Sequence, residues 1–278
     1  MFAGMTRKHR IGILIGCALV LCLAFLALAD VLMPEEGPEN QYQRDGELIV
    51  DSTHSADGYI RVKCAKKTSK QLKVKVSVGG SDLIYNIPKE STDYIVLPLQ
   101  FGRVNYTVGL FRNVEGKKYS PVGQVTVSPR GMEDELRCFL YPNQYVNYTA
   151  DTECVKLASE LCKDMTDQAE IFKTIRSYVL SNYAYDYIKS VTVKPGQLPD
   201  IDYCWKNKMG ICQDLSALTI AMLRSQGVPA RLMIGTLGSG TAHAWVLAVV
   251  DGEDKFFDPT AELGGSSLVD TYTILRWY

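Results

Sequence analysis

The stretch GICQDLSALTIAMLRSQGVPAR, residues 210–231, decides how the chain is read. Leu215, Leu218, Met222 and Leu223 recur at helical spacing, and Gly227 followed by Pro229 closes the run. A helix is therefore expected here with Cys212 in its first turn. There the free N–H groups and the partial positive charge of a helix N-terminus stabilise a thiolate. Gly210, with no Cβ, leaves room for another backbone or a substrate. An inert buried cysteine could occupy the same position as one more small hydrophobe. A histidine separates the two readings.

Beyond the N-terminal apolar run the chain holds two histidines, His54 and His243. His54 sits in DSTHSADG, a polar loop. His243 sits in TAHAWVLAVV, where alternation puts His243, Trp245, Leu247 and Val249 on one face. Asp251-Gly252 is a two-residue hairpin signal, and KFFDPT returns after it. If Val250 pairs with Glu253, Asp258 faces Trp245 and becomes the diagonal same-face neighbour of His243, about 7 Å away between backbones. A three-residue loop would put the two on opposite faces. A core histidine beside a solvated turn aspartate shares this spacing, but a Cys at a helix start together with a His–Asp pair makes the parts of an activated thiol nucleophile.

The motifs GICQDLSAL, GVPARLMIG, HAWV and FFDPT occur in this order, preceded by TIRSYVLSNYAYD. Over about residues 156–259 they resemble the transglutaminase-like superfamily, in a membrane-anchored or secreted member of bacterial type. The resemblance implies Cys212 as nucleophile, His243 as base and Asp258 as orienting acid. It also implies a papain-like core with the Cys helix packed on an antiparallel sheet. The backbone N–H of Cys212 is the first candidate to stabilise an oxyanion, with Trp205 and Tyr203 as upstream candidates. The implied chemistry is thiolate attack on an amide carbonyl to give a thioester. Water as acceptor makes a peptidase or amidase, and a lysine amine makes a transglutaminase. Hydrolysis is preferred, because the chain lacks the extra domains that shape an amine site in cross-linking members. The expected substrate is an extracytoplasmic protein or a cell-wall peptide. The competing reading is a catalytically inactive transglutaminase-like binding or scaffold protein of the cell envelope.

The 278 residues suffice for one large domain or two modest ones, and 46% apolar with 22% charged residues is ordinary for a globular protein. A net charge of −1 with no basic stripe gives no case for a nucleic-acid partner. No cofactor is expected, calcium being left open, and the lack of a CxxC pair argues against structural zinc. Arg7, Lys8 and Arg10 precede nineteen uncharged residues, 11–29, about 28 Å as a helix and close to the roughly 30 Å hydrocarbon core of a bilayer. This predicts a single-pass anchor in the cell membrane with the rest exported. Ala27-Leu28-Ala29 offers the alternative of cleavage and secretion. Six cysteines follow the run; keeping Cys212 free leaves an odd number, and Cys154 and Cys162 lie too far apart on one helix to bridge.

The expected organisation is a signal or anchor at 1–29, a linker at 30–45, a small immunoglobulin-like β-sandwich at 46–130 and a catalytic domain at 140–278. YIRVKC, QLKVKVSV, DYIVLPL, VNYTVGLF and VGQVTV alternate apolar and polar residues in the sandwich region. After residue 150 the period becomes helical, with Asp151 and Thr166 as expected caps, and strand-like runs follow the Cys helix, an α+β order.

Overall fold

The computed structural model describes residues 31–265 and 271–278. The run 11–29, and with it the expected anchor or signal, lies outside the described residues. Among the described residues no helix is long and apolar enough to cross a membrane.

The first half is all β: β1 (Gln43–Asp45), β2 (Leu48–Asp51), β3 (Tyr59–Cys64), β4 (Leu72–Val78), β5 (Ser81–Ile87), β6 (Ile95–Pro98), β7 (Tyr106–Glu115) and β8 (Lys118–Val127). They form two antiparallel sheets, β1-β2-β3-β6 and β5-β4-β7-β8. In β4, Leu72, Val74, Val76 and Val78 are buried while Lys73, Lys75 and Ser77 between them are half-buried. Apolar residues of both sheets, Val62, Val74 and Leu110 among them, share one buried cluster. Burying each such side chain fully is worth roughly 1.5–3 kcal/mol. Alternation reveals five of these strands. β2 is buried at all four positions and has no alternation to read, and β1 is only three residues long.

The expected linker at 30–45 is tied to the body. The N–H of Glu35 donates to the Tyr59 hydroxyl (2.9 Å) and that of Gly37 to Asp51 Oδ2 (3.0 Å). Val31 and Met33 pack against the core of the second half, and β1 pairs with β2. Polar backbone bonds hold this segment, so its poverty in large apolar residues concealed the attachment.

The second half contains α1 (Glu153–Leu161), α2 (Gln168–Asn182), β9 (Ala184–Tyr185), α3 (Tyr187–Thr192), α4 (Ile201–Asn207), β10 (Met209–Gly210), α5 (Cys212–Ser225), β11 (Ala230–Thr236), β12 (Ala242–Val250), β13 (Glu253–Phe257), α6 (Pro259–Leu263) and β14 (Thr273–Trp277). The caps fall one residue later than expected: Thr152 precedes α1 without a side-chain bond, and Asp167 caps α2 through the Glu170 N–H. Four strands form an antiparallel sheet in the order β13-β12-β11-β14, and the α5 residues Leu215, Leu218 and Met222 share a buried cluster with Leu232, Ala244 and Val246 of that sheet.

Among the described residues no sheet joins strands from the two halves, yet those residues form one compact unit. Tyr145 and Ile234 pack against both apolar clusters, and the Tyr145 ring stacks on that of buried Tyr278, centroids 3.6 Å apart.

Every residue of α5 from Asp214 to Ser225 is buried. Its polar side chains are tolerated because each is bonded. Arg224, 2% exposed, donates to the carbonyls of Ala230 (2.9 and 2.7 Å), Tyr141 (2.7 Å) and Tyr278 (3.1 Å). It thereby fastens the Cys helix to the segment between the halves and to the C-terminal strand. Arg224→Ala should strand these carbonyls and cost about 3 kcal/mol or more of unfolding free energy, read from urea denaturation. A loss below about 0.5 kcal/mol would contradict this role.

Candidate active site

Helix α5 begins at Ile211, whose carbonyl accepts from the N–H groups of Asp214 (2.9 Å) and Leu215 (3.0 Å). Fully buried Asp214 holds this start in place. Its Oδ2 accepts from the Ile211 N–H (3.1 Å) and lies 2.7 Å from Lys189 Nζ, while Oδ1 accepts from the Asp200 N–H (2.9 Å). One carboxylate thus joins α3, the start of α4 and the start of α5. A Cβ on Gly210 would lie 2.8 Å from Asp214 Cβ and 2.9 Å from Cys204 Sγ. The glycine accommodates these neighbours, not the approach of a substrate. Gly210 also pairs with Tyr185 in the parallel β9–β10 ladder. That ladder brings Tyr185 close to the thiol: burial first, then the charge of Cys212, pushes its hydroxyl pKa up.

The imidazole arrives from the sheet. Pairs run from Val250–Glu253 to Val246–Phe257, the register expected from the two-residue turn, and carry Asp258 to a place opposite Trp245. Asp258 is fully buried and has four donors. Its Oδ2 accepts from His243 Nε2 (2.6 Å) and the Tyr272 hydroxyl (2.8 Å). Its Oδ1 accepts from the N–H groups of Thr260 (3.0 Å) and Ala261 (3.1 Å), capping α6. The alternative of a solvated turn aspartate is therefore overturned: Asp258 is buried and bonded at both oxygens. Hydrogen bonding from His243, Ala261 and Tyr272 outweighs burial and holds the Asp258 carboxyl below the usual carboxylate range.

With Nε2 engaged by Asp258, Nδ1 is the nitrogen left for the Cys212 thiol, which lines the same cleft. Burial pulls the imidazole pKa down, but Asp258 and Cys212 together raise it to about 9. The Trp245 ring stacks near the imidazole (6.3 Å) and meets Tyr272 edge-on (4.9 Å), and Phe256 meets Tyr272 (5.0 Å). These rings wall the His–Asp pair from water.

All six described cysteines are free, and Cys212 alone among them is not buried. Burial pushes the thiols of Cys138 and Cys154 up to about 12 and that of Cys162 up to about 11, with Cys64 and Cys204 also raised. Cys204 lies buried in α4.

Cys212 and His243 open into a cleft of about 670 Å³. Its walls come from loop 193–199, from Tyr145, Arg276 and Tyr278, and from Lys73, Asp82 and Asn86 of the β half. Gln213 steadies the loop by donating to the Gln197 carbonyl (3.1 Å). Tyr203 and Trp205 do not line this cleft. The Tyr203 hydroxyl donates to Asp186 Oδ2 (2.6 Å), and Lys208 Nζ lies over the Trp205 ring (3.5 Å). The first-turn N–H groups of Cys212 and Gln213 have no intrahelical acceptor and remain as donors at the thiol. Among the described residues no three His, Cys, Asp or Glu side chains group as a metal site would need.

The sequence reading missed Asp214, Tyr185 and Tyr272. For Asp214 a signal existed, an acid at the third position of a helix. Tyr185 and Tyr272 arrive by pairings of remote segments that leave no local trace.

No curated protein matches the chain in sequence. Among solved structures, a candidate cysteine protease from Cytophaga hutchinsonii is similar at 14% identity and TM-score 0.41, covering 85% of this chain and 90% of that one. The periplasmic domain of TgpA from Pseudomonas aeruginosa is similar at 14% identity and TM-score 0.37, over 84% and 77%. A candidate protease from Parabacteroides distasonis is similar at 18% identity and TM-score 0.35, over 67% and 37%. Nothing in the reading of the site rests on likenesses this distant. The family model described as transglutaminase-like superfamily matches residues 155–257, which hold Cys212 and His243 and end one residue before Asp258. Through this segment the chain is similar to the transglutaminase-like superfamily.

Proposed function

We propose that the protein is a thiol-dependent enzyme that cleaves amide bonds in extracytoplasmic proteins or cell-wall peptides. In this reading the apolar run 11–29 holds it at the membrane, or it is released after cleavage near Ala29, and the first half serves as an immunoglobulin-like module beside the catalytic core. The observation that carries the reading is the chain of contacts from Cys212, the one described thiol open to solvent, to His243 and on to buried Asp258. A second thiol or an isolated histidine would not need that chain.

The Cys212 thiolate attacks the amide carbonyl carbon, and an S–C bond forms as the oxygen takes the negative charge. The N–H groups of Cys212 and Gln213, which have no intrahelical acceptor, are the donors available to that charge. The imidazolium of His243 gives its proton to the leaving nitrogen, the C–N bond breaks and a thioester remains. The neutral imidazole then takes a proton from water, whose oxygen attacks the thioester carbon and expels the thiolate. Asp258 keeps Nε2 protonated throughout, so that Nδ1 carries the exchange. An amine in place of water would transfer the acyl group by the same steps. The open cleft over the thiol favours water.

Native-state alkylation with iodoacetamide at pH 7, read by peptide mass spectrometry, should modify Cys212 alone, the other five described cysteines reacting only after denaturation. Replacing His243 with Gln should slow the Cys212 reaction about tenfold or more, because the imidazolium that stabilises the thiolate is lost. If Cys212 reacts no faster than a free thiol and the substitution changes nothing, the site has no nucleophile and a binding protein takes the place of the enzyme.

Asp258 can be tested by separating chemistry from stability. Asn at this position keeps one acceptor oxygen for the helix cap but removes the charge, so turnover should fall about a hundredfold while more stability is kept than with Ala. Ala should lower turnover similarly and also cost about 2 kcal/mol or more, because buried donors of His243, Tyr272 and α6 lose their acceptor. Equal stability of the two variants would show that Asp258 does not organise the site.

A further inference from the structure

We propose that the cleft over Cys212 selects an anionic peptide, whose carboxylates are held by Lys73, Lys194 and Arg276; this names the substrate class for the thiol chemistry above and rests on that reading for its reaction. The three cations reach one cleft from three separate places: Lys73 on β4, Lys194 in the loop after α3, and Arg276 on β14. No carboxylate of the described residues pairs with any of them. Lys73 Nζ lies over the Tyr119 ring at 4.9 Å, and Arg276 lies near the Tyr145 and Tyr278 hydroxyls, lowering their pKa values against the effect of burial.

Neighbouring cations differ. Lys75 pairs with Asp82 (3.3 Å) and Lys189 with Asp214 (2.7 Å). Asp82 is the one carboxylate on the cleft wall, and it is occupied by Lys75 and by the Ser77 hydroxyl at 2.6 Å. The wall therefore carries three positive charges that nothing in the described chain neutralises. Apolar surfaces of Ile84, Ile234 and Tyr278 line the same space. Walls of low dielectric concentrate the field of such charges on whatever enters.

The shape favours a peptide over a small anion. The cleft shares Lys73, Asn86, Pro195 and Gly196 with an adjoining cavity of about 1260 Å³. Together they make one groove running from the thiol along β4 and β5. Lys63 extends its cationic side, lying over the Tyr94 ring (4.1 Å), whereas Arg61 is answered by Glu36 (3.5 Å) and Asp51 (3.8 Å), and Asp93 also lines this cavity. An extended chain with acidic side chains at intervals would meet a cation at each stage, whereas a single small carboxylate would use only one.

The test measures binding by fluorescence anisotropy to the full chain with Cys212→Ala, which cannot turn over. The probes are two labelled pentapeptides, acetyl-Ala-Glu-Ala-Glu-Ala-amide and its Ser-for-Glu counterpart. At low salt the acidic peptide should bind about tenfold more tightly, an advantage of the size expected for a few partly exposed ion pairs. The advantage should vanish in the triple variant Lys73→Gln, Lys194→Gln, Arg276→Gln and shrink at high salt. Lys194→Glu alone, in an exposed loop, gives a second variant if the triple one fails to fold, and should by itself weaken the acidic peptide and not the neutral one. Equal binding of the two peptides, no binding of either, or an acidic preference that survives these substitutions overturns the proposal. Slow alkylation of wild-type Cys212 with the acidic preference intact would instead sink the enzyme reading and leave an acidic-peptide binder.

Discussion

With Asp251 and Gly252 at φ +52° and +80°, β12 and β13 reverse direction in two residues, and Val250 meets Glu253. Both central residues of such a turn need positive φ, which Asp-Gly supplies at low cost. Because side chains alternate between faces, a slip of one residue would send Asp258 to the far side of the sheet from His243. The 2.6 Å contact between them, the start of α6 and the position of the imidazole over Cys212 all descend from that register. On the other flank His243 pairs with Gly235, and a Cβ on Gly235 would lie 1.9 Å from the Thr273 carbonyl. The missing side chain lets β14 come close enough for Tyr272 to reach Asp258.

A buried carboxylate beside a buried imidazole is costly unless every polar atom is answered. Here each Asp258 oxygen has two donors, one of them His243 Nε2. Charge on one member then stabilises charge on the other. The raised pKa of His243 contributes stability that is full below its ordinary 6.5 and disappears as pH rises through about 9. The depressed pKa of Asp258 contributes stability that is present above its ordinary 3.8 and disappears as pH falls through the lowered value. Between these limits the pair is charged on both sides. The same window leaves the imidazolium available to a thiolate.

Much of this was legible in the sequence where local rules operate. Gly227 and Pro229 punctuate the end of the Cys helix, and alternation with an Asp-Gly turn fixes the hairpin, so Cys212, His243 and Asp258 could be named with their geometry. What stayed hidden depends on distant segments. Asp214 reads as an ordinary first-turn acid until Lys189 and Asp200 fold onto it. Arg224 reads as a surface cation closing a helix, yet it is buried because the carbonyls of Tyr141, Ala230 and Tyr278 converge on it. Tyr203 and Trp205 stand near Cys212 along the chain, but α4 aims them at Asp186 and Lys208. Proximity in sequence misled there, since a short intervening helix redirects side chains within one turn. The stretch before β1 misled in the opposite sense, its polar composition hiding backbone bonds to the Tyr59 hydroxyl and Asp51.

The central claim is that Asp258 and Cys212 together raise the His243 pKa, so that the ring is an imidazolium at neutral pH. NMR titration of the His243 ring nitrogens, followed from about pH 5 to pH 10, tests it without any substrate. The account predicts a wild-type midpoint raised toward about 9, falling in Cys212→Ala and falling again when Asp258→Asn is added. A wild-type midpoint at or below 6.5, unmoved by either substitution, would contradict it.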